Sequence, residues 1–260
     1  MNYALQLSAS GVLTSMYRQD VLANNLANVD TVGYRPDIPA TRQRDPVTRE
    51  DALSNLPSNR LLERLGAGVL IQPTRTSTEQ GSIETTSNPL DLAIEGDGFL
   101  VVAIASGNDD DRLRLTRDGR LTLNSEGWLV QATTGHPVLD HAGDRIRIDQ
   151  SAGPLRIETD GTIRQPGGEV ARLQFVDVPD PSMLQKTGNG YFRPDAVQAS
   201  SLSPASGRLL ARSVERSSVD PIKAIMGITD AASDVSSNTR MMQLTDELMG
   251  RLINSVGRIA

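Results

Sequence analysis

No cysteine occurs anywhere in the chain of 260 residues. That absence excludes disulfide staples, thiolate nucleophiles and cysteine-ligated metals, and it is compatible with an oxidising compartment. Aromatic residues are scarce at 3%, and hydrophobic residues reach only 38%. The core is therefore expected to be aliphatic and modest. No block of Lys or Arg is present, and the formal net charge is -6 with both signs interspersed. Nucleic acid is not an expected partner. No apolar run approaches the length of a membrane span, so no membrane insertion is expected. Residues 1–17 carry no charge, but Asn2, Gln6, Ser8, Ser10 and Ser15 interrupt their apolar positions. Without a basic n-region or a compact h-region, a cleaved Sec signal is not expected, and export would need another route.

What is present divides by periodicity. Leu5, Ala9, Val12, Met16, Ala23 and Leu26 fall on steps of three and four, with Gln19 in the one polar slot. This predicts a helix with an apolar seam running nearly to Asn28, followed by a stop at Asp30-Thr31-Val32-Gly33. Residues 36–82 carry five prolines and read as an irregular or extended connector, with "REDALSNL" and "NRLLERLG" as short helical pieces. From 83 to 205, short alternating segments are separated by Gly-Asp-Gly, Arg-Asp-Gly, Ser-Glu-Gly and Thr-Asp-Gly turns, which predicts an antiparallel β domain. "RLTRDGRLTL" reads as one of its hairpins. A return segment spans 206–219. Asp220-Pro221 then opens a second helix over 220–260, as an N-cap followed by Pro at the first helical position. Leu244, Leu248, Leu252 and Val256 recur on one stripe of it.

The expected fold class is thus α+β. The N- and C-terminal helices pair in a coiled-coil-like domain, 220–260 against 1–30, around a central antiparallel β-rich domain. Neither helix is expected to be stable alone in water. Pairing with each other and again with neighbouring molecules is the simplest way to cover both seams.

The stretch "VLANNLANVDTVGYR" raises a separate question, because Asn24, Asn25 and Asn28 crowd the end of a helix although asparagine is a poor helix former. Asn28 is expected to cap, and Asn24 and Asn25 to hydrogen-bond a packed neighbour and fix its register. Enzymatic signatures are weak. His136 and His141 near Asp140 and Asp144 read as turn or surface residues rather than a metal site. Asp109-Asp110-Asp111 lacks the glycine and ligand spacing of a calcium loop. "GDGF" at 96–99 is half of a phosphate-binding motif with no helix after it. Asp118 and Asp160 each precede Gly in apparent turns, which accounts for them without glycosidase chemistry. No GxSxG, HExxH or P-loop occurs. No catalytic residue, cofactor or metal is expected.

Several long motifs, in order, resemble one family. "LANNLANVDTVGY", "QGSIETTSNPLDLAIEGDGFLVV", "LTRDGRLTLNSEGWLVQATTGHPVL", "IETDGTI", "LQFVDVPDPSMLQKTGNGYF" and "VERSSVDPIKAIMGI" are similar to segments of bacterial flagellar axial proteins of the FlgF/FlgG rod family. The chain departs from that pattern at Ser217-Ser218-Val219 and at "SSNTRMM", which lacks the aromatic the family commonly has in its last helix. The resemblance implies a non-enzymatic subunit of the basal-body rod that polymerises helically into a hollow shaft and transmits torque across the periplasm. It implies an inner layer of paired helices and an outer β layer. It also implies export as an unfolded chain by the flagellar type III apparatus, with partners that include further copies and other axial proteins. The assembly residues expected on this basis are Leu5, Val12, Met16, Asn24, Asn25, Leu26 and Asn28 at one end, and Met242, Leu248, Leu252 and Val256 at the other. The alternatives are a hook-type axial protein and a secreted β-domain binding module or carbohydrate-active enzyme.

Overall fold

The computed structural model describes residues 3–45, 68–104, 113–194 and 201–256. The expected helical pieces "REDALSNL" and "NRLLERLG" and the run Asp109-Asp110-Asp111 lie outside the described residues. The chain forms two compact units. One comprises Met1–Ala27, Asp37–Arg75 and Asp220–Ala260, and the other Asn28–Pro36 and Thr76–Val219.

The first unit holds helix α1 (Tyr3–Ala27), helix α2 (Pro221–Val256) and a two-stranded ribbon of Asp37–Gln43 and Val69–Thr76. The ribbon gives regular structure to parts of the expected connector. Helix α2 begins where Asp220-Pro221 places it. The Asp220 carboxylate accepts from the backbone N–H of Ile222 at 3.0 Å and of Lys223 at 3.1 Å, satisfying two donors that have no partner inside the helix. These bonds, the Lys223 N–H foremost, hold the Asp220 carboxyl below its ordinary value. A depressed acid stabilises the folded state above its unfolded pKa of about 3.9 and loses that contribution as pH falls through the lower folded value. Amide protection factors at residues 222–224 are expected to fall on acidification below about pH 4. Asp220→Ala should show the lowered protection at neutral pH already.

The two helices pack against each other. A Cβ on Gly11 would meet the Asn238 side chain at 3.0 Å, and one on Gly227 would meet Leu22 at 2.8 Å. Moving eleven residues up α1 therefore moves eleven down α2, so the pair is antiparallel. Partly or fully buried positions step by four and three on both helices: Ser8, Val12, Ser15, Gln19, Leu22 and Leu26 on α1, and Ala224, Ile228, Ala231, Val235, Asn238, Met242 and Thr245 on α2. The α1 seam is thus turned by one position from the apolar one. Val12, Gln19 and Leu26 are shared, but Ser8, Ser15 and Leu22 replace Ala9, Met16 and Ala23. The ribbon accounts for the turn. Tyr17 Oη donates to the Gln72 carbonyl at 2.9 Å, Asn25 binds Asp37, and Gly68 passes so close to Ser10 that a Cβ there would lie 2.6 Å from its hydroxyl oxygen. Ser10, Thr14, Tyr17, Val21 and Asn25 lie on one helical face. Holding that face to the ribbon sets the rotation of α1 about its axis.

The second unit is built on a six-stranded antiparallel sheet in the order Gln185–Gly188, Tyr191–Arg193, Leu113–Thr116, Phe99–Ala103, Phe175–Asp177, Ser203–Pro204. The strand "FLVVA" is apolar throughout because both faces are covered. Leu100 and Val102 join one aliphatic cluster with Leu92, Ile94, Leu129 and Ile163, while Phe99 and Val101 join another with Leu115, Val176 and Phe192. The Asp160-Gly161 turn joins the antiparallel strands Arg156–Ile157 and Thr162–Gln165 as expected. The Arg-Asp-Gly turn does not make a hairpin. Leu113–Thr116 pairs with Phe99–Ala103, whereas Leu121–Leu123 pairs with Leu129–Gln131 in another sheet. The intervening backbone passes tightly beside the start of strand Leu92–Glu95, where Leu92 N–H donates to the Gly119 carbonyl at 2.9 Å. A Cβ on Gly119 would lie 1.9 Å from the Leu92 carbonyl oxygen, so only glycine fits this crossing.

Candidate functional site

Among the described residues no group of three or more His, Asp or Glu gathers at metal-holding spacing. His136 instead places its ring edge-on to Tyr191, with Nδ1 3.1 Å from Tyr191 Oη. His141 is held by its backbone N–H, which donates to the Arg172 carbonyl. Asp118 is turn chemistry of another kind: both its oxygens accept from the Arg120 guanidinium, at 2.9 and 2.8 Å. The Asp160 carboxyl is held below its ordinary value by the Thr162 backbone N–H and hydroxyl. Gly96 and Gly98, both at positive φ, turn the chain between strands Leu92–Glu95 and Phe99–Ala103.

The surface that stands out lies on the helices of the first unit. With one face of α1 on α2 and another on the ribbon, its third face is open and carries Leu13, Met16, Ala23 and Asn24. Leu13 is 61% exposed and Met16 48%. On α2 the exposed apolar side chains are Ile222, Ile225 and Met226 near the start, and Met241, Leu244, Leu248, Met249, Leu252 and Ile253 towards the end. The expected assembly residues therefore separate. Leu5, Met16, Asn24, Leu248 and Leu252 face outwards, whereas Val12, Leu26 and Met242 lie half-buried in the seam between the helices. Val256 is the last residue of α2. Three exposed hydroxyls on α2, those of Thr229, Ser233 and Thr239, each donate to the carbonyl four residues back on their own helix. Such a face can be desolvated without orphaning those donors.

The asparagines divide as well. Asn25 is 4% exposed. Its Nδ2 donates to the Asp37 carbonyl at 2.8 Å and its Oδ1 accepts from the Asp37 N–H at 2.9 Å, so the side chain pairs with backbone as a neighbouring strand would. Asn28 stands just after the last residue of α1 and accepts from the Thr31 hydroxyl at 3.2 Å in the turn that follows. Asn24 is exposed. Asn25→Ala removes both hydrogen bonds to the Asp37 backbone, at a cost of about 2–3 kcal/mol. Faster amide exchange along strand Asp37–Gln43 is the expected sign.

In the second unit, three charges invisible to motif reading meet in the interior. Arg35 Nη2 lies 3.0 Å from Glu215 Oε1, and Arg117 Nη1 lies 3.1 Å from Glu215 Oε2, with all three side chains at least 95% buried. Backbone completes the set: the Gly81 N–H donates to Glu215 Oε1 at 3.1 Å, and the Thr78 and Gly96 carbonyls accept from Arg35 and Arg117 at 2.8 Å each. The Arg117 guanidinium also lies 5.2 Å from the centre of the Phe99 ring. Burial, and then repulsion from Arg117, lowers the Arg35 pKa to about 10 against the pull of Glu215. Gly33, at φ +67°, donates to the Glu215 carbonyl at 2.7 Å, and a Cβ there would lie 2.6 Å from the Arg117 carbonyl carbon. The segments after α1 and before α2 are thereby fastened to one point inside the β unit.

Comparison with known proteins decides the family. The model described as "Flagella basal body rod protein" matches residues 5–35, and that described as "Flagellar hook protein FlgE/F/G D1 domain" matches residues 93–165. The chain is 31% identical over 261 residues to the flagellar basal-body rod protein FlgF of Caulobacter vibrioides, covering 100% of both chains. It belongs to the flagellar basal-body rod protein family. FlgF of Salmonella typhimurium is 30% identical, over 96% of this chain and 97% of its own. FlgG of Caulobacter vibrioides is 27% identical, over 95% and 96%. The resemblance read from the motifs is thus shown, and the family is one of structural flagellar proteins rather than enzymes. In this rod-family chain the first matched segment covers α1 from Leu5 onwards and Arg35, and the second contains Arg117.

Proposed function

We propose that the protein is a non-enzymatic subunit of the flagellar basal-body rod, which polymerises helically through the open faces of its terminal helices. The observation that carries this reading is the pair of outward apolar stripes, Leu13 and Met16 on α1 and Leu244, Leu248 and Leu252 on α2, left over after the helices have packed on each other. Soluble monomers rarely keep such extended apolar surface without a partner for it. Two different patches on one chain make a heterologous, head-to-tail contact, which propagates into an open filament. The α1–α2 pair is coiled-coil-like in its four-three spacing, and its polar seam positions Ser8, Ser15, Gln19 and Asn238 make the pair weak by itself. Assembly then supplies much of its stability.

The subunit resides in the basal body, with further copies and other axial proteins as neighbours and the type III apparatus as its export route. The shaft transmits torque, and the buried ion triad holds both chain segments that lead towards the helices rigidly to the β unit. Deleting residues 1–20 tests the division of labour. The β unit is expected to keep its circular dichroism and cooperative unfolding, while sedimenting assemblies disappear. Loss of the β signal, or assembly of the truncated chain, would count against the reading.

A further inference from the structure

Five methionines lie on the two helices, and four of them project outwards: Met16, Met226, Met241 and Met249 are 48%, 61%, 56% and 42% exposed. The fifth, Met242, is half-buried in the seam towards α1. With no cysteine in the chain, thioethers are its only oxidisable sulfur. We infer that these four methionines form an oxidation-sensitive site, at which conversion to the sulfoxide blocks assembly while leaving the folded subunit intact. The inference rests on the assembly reading above.

The chemistry needs a peroxide as the two-electron oxidant. The thioether sulfur attacks one peroxide oxygen, an S–O bond forms, the O–O bond breaks and water leaves. Sulfur is oxidised and the peroxide reduced. The product is polar and chiral where the thioether was apolar and adaptable. On these helices the change falls outside the seam. The exposed thioethers react in the free subunit, whereas Met242 reacts more slowly and the helix pair survives. In the assembled state a neighbouring subunit covers the same sulfurs and protects them. The four positions thus record whether a subunit met the oxidant before or after it was incorporated.

The test treats the full-length chain with dilute hydrogen peroxide before and after assembly. Peptide mass spectrometry locates the added oxygens, and sedimentation measures the critical concentration. The expected result is oxidation at Met16, Met226, Met241 and Met249 ahead of Met242, unchanged circular dichroism, and a critical concentration raised about tenfold or more. Methionine sulfoxide reductases are expected to restore assembly. The variant Met16→Leu/Met226→Leu/Met241→Leu/Met249→Leu, which nearly conserves side-chain volume, should assemble and resist the treatment. Oxidised chain that assembles as well as untreated chain would overturn the inference alone, as would an equal loss of assembly in the leucine variant. Untreated chain that stays monomeric at every concentration would remove the assembly reading and the inference with it.

Discussion

Glu215→Ala is expected to destabilise the β unit by about 3–5 kcal/mol. The carboxylate lies between two guanidiniums, Arg35 at 3.0 Å and Arg117 at 3.1 Å, and all three side chains are removed from water. Deleting it leaves two like charges buried side by side. It also orphans the Gly81 N–H that donates to the same carboxylate. The loss is compounded because Arg35 already titrates low, near 10, for want of solvation and through repulsion from Arg117. Glu215→Gln keeps the shape and an acceptor for Gly81, so it should cost less than the alanine change while still leaving the guanidinium charges uncompensated. Denaturant titration followed by the β signal checks both. Equal stability of wild type and Glu215→Ala would show that the triad contributes nothing to holding the unit together.

The second large effect falls on association. Leu248 is 60% exposed and Met16 48%, so an aspartate at either position remains solvated in the free subunit and should change folding stability by no more than about 0.5 kcal/mol. In the assembly the same charge would be driven into an apolar contact with no partner cation. Each of Leu248→Asp and Met16→Asp is expected to raise the critical concentration about a hundredfold, equivalent to about 3 kcal/mol per contact. Val12→Asp should behave differently. Val12 belongs to the seam between the helices, so the change should disturb α1–α2 pairing in the monomer as well. Helical circular dichroism of the soluble subunit separates the two classes. A Met16→Asp chain that assembles normally would remove α1's open face from the contact.

Much of the fold was legible where chemistry acts locally. Asp220-Pro221 marks the start of α2 because capping and a fixed φ act within one turn, and Asp160-Gly161 marks a hairpin for the same reason. The order of helix, β region and helix followed from the change of period. Features set by distant partners were not legible. The rotation of α1 depends on a ribbon whose second strand meets it from 55 residues further along, at Tyr17–Gln72, so a helical period with Met16 on it could not say that Ser15 would face inwards. Arg117-Asp118-Gly119 reads as a hairpin turn by composition, but the close passage of Gly119 past Leu92 makes it a crossing between sheets. The triad was hidden because Arg117 and Glu215 lie 98 residues apart and each resembles an ordinary surface charge in its own segment. One signal was present: "TVGYR", "LTRDG" and "VERSSV" each set a charge within two positions of a glycine or an apolar residue, in stretches that carry the family resemblance. Asn25 illustrates the same limit, since its partner Asp37 lies beyond the turn and only the fold brings them together.

Assembly into the rod is tested by electron microscopy of basal bodies purified from cells lacking this protein and from the same cells supplied with the wild type or with Leu248→Asp. Incomplete or missing rods are expected in the deletion strain, restoration by the wild type, and no restoration by Leu248→Asp although that chain is folded and exported. Normal rods in the deletion strain would contradict it.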